Sequence, residues 1–335
     1  MDIRTGVQLA PYTTLKVGGA AAHLVAVTSE AQLQQVQQFA SQIAAPVLLL
    51  GSGSNVLVSD AGYPGVVIIN QIKGIAYQPI ADGTVEVTIG AGELLDDVVA
   101  DAVSRGYWGL ENLSHIPGTV GAAPIQNVGA YGVEVSALIA SVQAVSLGTG
   151  EVRTFLNQDC QFAYRDSYFK TPPGRDWVIT SVTCTLSTDR VPRLEYGDLT
   201  QLDAATCTLQ AIRALVIEIR STKFPDWHTV GTAGSFFKNP IVSAKQRDQL
   251  VQQYPALPTF VMADGRYKIS LGWVLDHVCQ VRGYSVGSVG LYHNQALVLT
   301  NTGDSAAAIE TFAAKITALV YEKTGITIEP EVRFV

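Results

Sequence analysis

The chain has 335 residues, 47% of them hydrophobic and 15% charged, which suits two or three domains with a sizeable core and excludes a disordered chain. A net charge of −7 and a pI near 5.2 argue against a general nucleic-acid surface, so an anionic ligand must be met by a few placed Arg and Lys side chains. Cys160, Cys184, Cys207 and Cys279 lie far apart and the five histidines are scattered, so no zinc, redox or H-E-x-x-H spacing exists and no metal site is expected.

The opening MDIRTGVQLAPYTT has no basic run before an apolar stretch, and no stretch nears the roughly 20 apolar residues of a membrane span. The expectation is a cytoplasmic protein with reduced thiols. Ser29 and Gln32 form a capping box before Leu33, Val36, Ala40 and Ile43, which share one helical face. Strands are expected at Val66–Asn70 and Thr84–Gly90. A helix then carries Leu95, Val98, Val99, Ala102 and Val103 and leaves at Gly106. Strands at Ala140–Leu147 and Val178–Leu186 follow, then helices at about 208–221, 243–253 and 271–280. A strand at Ala296–Thr300 and a helix at about 305–323, closed by Gly325, come last, before the alternating ITIEPEVRFV. NQIKGIAYQP reads as a hinge and RSTKFPDWHTVGTAG as loop. The class is α/β or α+β, with mixed sheets.

Between the first helix and Val66, PVLLLGSGSNVLVSD runs from apolar residues into a glycine turn. A Rossmann fingerprint needs a third glycine, a following helix and an acid about 20 residues later. Here Val56 stands in the third glycine's place, VLVSD is a β pattern, and no Asp or Glu lies near position 70. The Rossmann reading fails. Gly51 and Gly53 can still turn successive N–H groups onto phosphate oxygens, with Ser52, Ser54 and Asn55 as further donors. An ordinary tight connection between strands is the competing reading. A second stretch, GLENLSHIPGTVGAAPIQNVGAYGVEV from Gly109 to Val135, has no helix or strand period, and loops this long in compact domains are usually functional. Its glycines permit close wrapping of a ligand. Gln126 and Asn127 offer amides suited to a heteroaromatic edge.

GSGSNVLVSD, IPGTVGAAPIQNVGAYG, YRDSYFK, GTAGSFFKNP and IEPEVRFV stand in the order and spacing of the UDP-N-acetylenolpyruvoylglucosamine reductase (UDP-N-acetylmuramate dehydrogenase) family, which the chain resembles over nearly its whole length. LEYGDL before RSTKFP resembles the longer of that family's two subtypes. The resemblance implies a vanillyl-alcohol-oxidase-type FAD-binding fold of two domains, 1–72 and 73–224, with 325–335 returning to the first, and a third α+β substrate-binding domain at 225–324. It implies non-covalent FAD, since no counterpart of a flavin-linked histidine lies near LKVGG. NADPH is the implied co-substrate, the partner a UDP-sugar, and the chain a monomer touching neither nucleic acid nor membrane.

The implied reaction reduces an enolpyruvyl ether on UDP-N-acetylglucosamine to UDP-N-acetylmuramate, in peptidoglycan precursor synthesis. Hydride comes from reduced flavin N5, and the protein must stabilise an enolate-like intermediate and supply a proton. By the resemblance, Ser235 is the proton donor, and Arg165 and Glu331 stabilise the intermediate. Read from the residues alone, Arg165 could equally pair with Asp159 or Asp166, Ser235 could be a turn serine, and Glu331 could sit on a solvated strand edge that also carries Glu329 and Arg333. The implied FAD contacts are Gly51, Ser52, Gly53, Ser54, Asn55, Val56, Pro117, Gly118, Gly121, Gln126, Asn127, Gly129, Ala130 and Tyr131. Relatives often carry serine at Ala122-Ala123, so a side-chain contact is missing there while backbone donors are expected to remain. Tyr196, Lys223, Asn239 and Gln295 match contacts to the substrate diphosphate, with Asn294 able to replace Gln295 by a one-residue slip. A flavin oxidoreductase of the same fold acting on another substrate, and a nucleotide-binding module without catalysis, are the alternatives.

Overall fold

The computed structural model describes residues 1–81 and 83–335. These form two compact units, one of Met1–Val7, Ala21–Ser52 and Pro64–Arg220, the other of Gln8–Ala20, Gly53–Tyr63 and Ser221–Val335. The division cuts the glycine turn between Ser52 and Gly53 and the helix Leu209–Lys223 after Arg220.

Among the described residues the first unit is built on two larger sheets. One orders Ile3–Gln8, Ala20–Val27, Tyr63–Asn70 and Val47–Leu50, the last two parallel with Val47 opposite Val66. The helix Glu30–Gln42 packs Leu33, Val36 and Ala40 onto Val25, Val27, Val66 and Ile68. Ser29 accepts from Gln32 N, but the return bond from Gln32 reaches Thr28 N, one residue earlier than the expected box. Ile43, assigned to the buried face, falls at the C-cap and is exposed, because the helix has ended. The other sheet is antiparallel, ordered Val152–Leu156, Ile139–Ser146, Trp177–Ser187, Thr84–Gly90 and Ile75–Ala81. The edge strand Ile75–Ala81 occupies the expected hinge. Its side chains are mostly exposed, so it lacks the buried alternation that would have announced it. Leu95, Val98, Val99, Ala102 and Val103 from helix Leu95–Ser104 and Leu209, Ile212, Val216 and Ile219 from Leu209–Lys223 share this sheet's core.

The second unit is built on an antiparallel sheet ordered Gly231–Ser235, Gln295–Asn301, Val289–Tyr292 and Ser285–Val286. The helix Ala306–Thr324 joins its core through Ile309, Phe312, Ala313, Ile316 and Val320. It is capped by Ser305 and closed by Gly325 at φ +68°. The predicted helix at 271–280 is one short α turn, Leu271–Trp273, followed by the wider-wound Val274–Val278. The C-terminal residues form no long strand among the described residues: Pro330 bridges Phe237, a bend at Glu331–Val332 interrupts the alternation, and Arg333–Phe334 then pairs parallel to Val56–Leu57. All four cysteines are free. Among the described residues no helix is long and apolar enough to cross a membrane.

Candidate active site

The glycine turn leaves strand Val47–Leu50 and ends at Asn55, before Val56–Leu57. Its glycines are needed first by the protein itself. A Cβ on Gly51 would lie 2.4 Å from Thr119 Oγ1, and one on Gly53, at φ +64°, would lie 2.0 Å from the Tyr12 carbonyl oxygen. That packing leaves the Oγ of Ser52 buried with no hydrogen-bond partner. A buried hydroxyl of this kind calls for a polar ligand, and a phosphate oxygen satisfies it. The turn therefore fits the diphosphate of FAD.

The long loop is pinned by its backbone. Gly118 O accepts from Leu95 N at 3.0 Å, Val120 N donates to Glu93 O at 2.8 Å, and Gly121 N to Ala91 O at 2.9 Å. Pro117–Gly121 is thereby fixed along the start of helix Leu95–Ser104. Backbone donors were expected to remain at Ala122-Ala123, and the structure corrects this. Their N–H groups close a short turn on Thr119 O and Val120 O at 3.0 and 3.1 Å. Gln126 is half-buried. Asn127 is nearly fully buried, its Nδ2 donating to Glu134 and to Ala163 O while its Oδ1 accepts from Ser136 N. It knits the loop together.

Gly129–Ala130 and Val133–Glu134 then pair as a hairpin around Tyr131 (φ +48°) and Gly132 (φ +82°). Two left-handed residues make the tight turn that matches strand twist, but a tyrosine there costs roughly 1–2 kcal/mol. The surroundings hold it in place. Asn112 Nδ2 donates to Tyr131 O at 2.8 Å, and the Tyr131 hydroxyl shares a hydrogen bond with Arg220. Burial pushes that hydroxyl up, with the Arg220 charge working against it.

Arg220 belongs to a network that the sequence pattern did not reveal. Its Nε donates to His115 O at 3.0 Å, His115 N donates to Asp96 at 2.6 Å, and Arg213 grips both Asp96 oxygens at 2.5 and 3.0 Å. Burial works to raise the Asp96 carboxyl, but the Arg213 and His115 hydrogen bonds and the Arg213 charge together hold it below the usual range. The two arginines lie about a hundred residues from His115 and Asp96 in sequence, and no local spacing links them.

Arg165 sits at φ +53° in a tight turn closed by reciprocal Ala163–Asp166 backbone bonds. Its Nη2 donates to Gly129 O at 3.3 Å, so it lies against the hairpin that carries Tyr131. Lys170 Nζ holds its carbonyl at 2.6 Å. The two carboxylates weighed as its partners serve their own backbones, Asp159 accepting from Leu156 N and Asp166 from Ser167 N. Tyr196, 54% exposed, meets the Tyr131 ring edge-on at 6.2 Å. The first unit thus gathers Arg165, Tyr131 and Tyr196 around one hairpin.

In the second unit Ser235 ends strand Gly231–Ser235 just after a register shift against Gln295–Asn301. The Thr232 hydroxyl accepts from Gly234 N and donates to Leu299 O, which stabilises the irregularity. A bulge of this kind re-aims the following side chain, and buried Phe236 and Phe237 lock the outcome. Glu331 arrives alongside. Its N–H donates to Phe236 O at 2.8 Å, and its carbonyl accepts from Asn55 Nδ2 at 3.2 Å. Glu329 is instead exposed and reaches the half-buried Lys238, at 3.5 Å. Lys223 is the last residue of its helix, with Asn294 Nδ2 bonded to the neighbouring Thr222 O at 2.9 Å. Gln295 Oε1 accepts from Leu297 N at 3.4 Å, and Asn239 Oδ1 accepts from Leu271 N at 3.0 Å. Of the two residues separated by the one-residue slip, Asn294 is the one bonded beside Lys223.

Residues 21–156 match an FAD binding domain, and residues 226–335 match the C-terminal domain of UDP-N-acetylenolpyruvoylglucosamine reductase. The chain is 42% identical to the Escherichia coli (strain K12) UDP-N-acetylenolpyruvoylglucosamine reductase over 98% of its own length and 95% of the relative's. The chain belongs to the UDP-N-acetylenolpyruvoylglucosamine reductase family. The family member of Porphyromonas gingivalis (strain ATCC 33277) is 39% identical, with both chains covered in full. The crystal structure of the family's Thermus caldophilus member superposes with a TM-score of 0.68 at 25% identity, covering 99% of each chain. The fold class implied by the motifs, an FAD-binding fold joined to a further α+β domain, is the fold of this chain.

Proposed function

We propose that the chain reduces the enolpyruvyl ether of UDP-N-acetylglucosamine enolpyruvate to UDP-N-acetylmuramate, with NADPH, as a monomer in the cytoplasm. When bound, FAD would supply the hydride, with NADPH as its source. The chain's own residues do the rest. Ser235 gives a proton to the carbon adjacent to the one that receives hydride. A serine is a weak acid, so the transfer needs the developing negative charge stabilised as it forms. Arg165 supplies a permanent positive charge to the substrate carboxylate and its enolate-like form. Glu331 works beside the serine. Gly51 to Val56, Pro117, Gly118, Gly121, Gln126, Asn127 and Gly129 to Tyr131 form the flavin's surroundings. Tyr196, Lys223, Asn239 and Gln295 hold the diphosphate with local hydrogen bonds and charge. Residues 1–72 and 73–224 serve the cofactor, and 225–324 the substrate.

One observation carries the reading: Glu331, near the end of the chain, is bonded through its backbone to the residue after Ser235. That contact unites the second unit's two assigned groups. An absorbance spectrum of the purified protein, followed by NADPH addition with and without the UDP-enolpyruvyl sugar, tests the proposal. A flavin spectrum bleached by NADPH and restored by the sugar is expected. A flavin-free protein that also fails to take up added FAD overturns it.

A further inference from the structure

We infer that Asn55 is a positioning residue for Glu331, an inference that rests on Glu331's part in the proposed reaction. Asn55 closes the cofactor turn, and its side chain is expected to face phosphate. Its Nδ2 instead donates to the Glu331 carbonyl at 3.2 Å, and its own carbonyl accepts from Arg333 N at 3.0 Å. Asn55 therefore grips the chain on both sides of the bend at Glu331–Val332.

The bend creates the need. The parallel ladder with Val56–Leu57 begins only at Arg333, so the Glu331 carbonyl falls outside it. A half-buried carbonyl needs a donor, and the Asn55 amide provides one. With the Glu331 N–H on Phe236 O at 2.8 Å, the peptide groups on either side of Glu331 are both held. Its Cα–Cβ direction is then fixed relative to the strand that carries Ser235. The Phe236 bond is backbone to backbone and survives most substitutions. The Asn55 bond depends on one side chain. Serine or threonine there is an atom too short, and an ionised aspartate has no proton to donate. One turn thus lines the cofactor site and orients the acid, so the two are built as one piece.

The test is a cycle of four FAD-saturated proteins, wild type, Asn55→Ala, Glu331→Ala and the double variant, followed by stopped-flow flavin reoxidation with the UDP-enolpyruvyl sugar. Misplacing a reacting group by about 1 Å can cost about a hundredfold. Asn55→Ala should slow reoxidation by about tenfold to a hundredfold when Glu331 is present, and by less than about twofold in Glu331→Ala. Equal slowing in both backgrounds overturns the positioning role alone. Wild-type reoxidation by Glu331→Ala overturns the role of Glu331 and the inference with it. Asn55→Asp, which keeps the volume, gives a second arm. Its rate relative to wild type should rise as pH falls and the carboxyl regains a proton to donate, and a ratio independent of pH counts against the inference.

Discussion

The backbone N–H of Glu331 donates to the carbonyl of Phe236 at 2.8 Å, fastening a bend near the end of the chain to the residue that follows Ser235. Three more backbone bonds extend the attachment beyond the bend, from Arg333 N to Asn55 O, Val335 N to Leu57 O and Ser59 N to Val335 O. Deleting residues 333–335 removes all three. At about 0.5–1.5 kcal/mol each, the loss should be about 2–4 kcal/mol. Thermal unfolding should show a lower Tm, and flavin content should fall because Asn55 lies in the turn proposed to hold the cofactor. An unchanged Tm and a full flavin content would show that the attachment is ornamental.

Gly53→Val should be severe. A Cβ has no room beside the Tyr12 carbonyl, and a β-branched residue resists φ +64°. The clash lies inside the second unit, so that unit should lose stability as well as flavin. Purification of the variant with full flavin content and wild-type Tm would dismiss the turn's assigned role.

Asp96→Asn tests the network behind Tyr131. The carboxyl is held below its ordinary range in the folded protein, so its contribution is present above the unfolded value and is lost as pH falls through the folded one. The variant should be destabilised by about 1–3 kcal/mol near neutral pH. The gap to wild type should close in acid, below the ordinary aspartate range. Urea unfolding at several pH values measures it, and a gap independent of pH contradicts the assignment.

Lys223→Ala should mainly raise the KM for the UDP-sugar, since a contact remote from the reacting carbons acts in ground and transition states alike. An increase of about tenfold or more with kcat changed little is expected. KM values unchanged for both the sugar and NADPH would remove Lys223 from the site.

The parts of the fold that were legible in the sequence are those with strong local periodicity. The helix with Leu95, Val98, Val99, Ala102 and Val103, and the one capped by Ser305 and Gly325, form within a residue or two of expectation. Strands with one buried face were equally clear, Thr84–Gly90 among them. Exposed edge strands such as Ile75–Ala81 were not, because they bury too little to impose alternation. The helix at 271–280 was misjudged because its second half is overwidened, with backbone bonds that hydrophobic spacing does not record. The candidate residues were legible only as members of linked motifs. Arg220 and His115 went unnoticed because their partners, Tyr131 and Asp96, become neighbours only on folding. Glu331 looked like an end of chain, and it took the Phe236 and Asn55 bonds to give it a fixed place.

The central claim is that this chain delivers hydride and proton through separate groups, with Ser235 giving the proton. Stopped-flow absorbance of Ser235→Ala separates the two half-reactions directly. Flavin reduction by NADPH needs no proton at the substrate carbon and should proceed at close to the wild-type rate. Reoxidation by the UDP-enolpyruvyl sugar should slow by about 10²–10⁴-fold, the range for loss of a positioned general acid. Reoxidation at the wild-type rate, or equal slowing of both steps, would contradict the account.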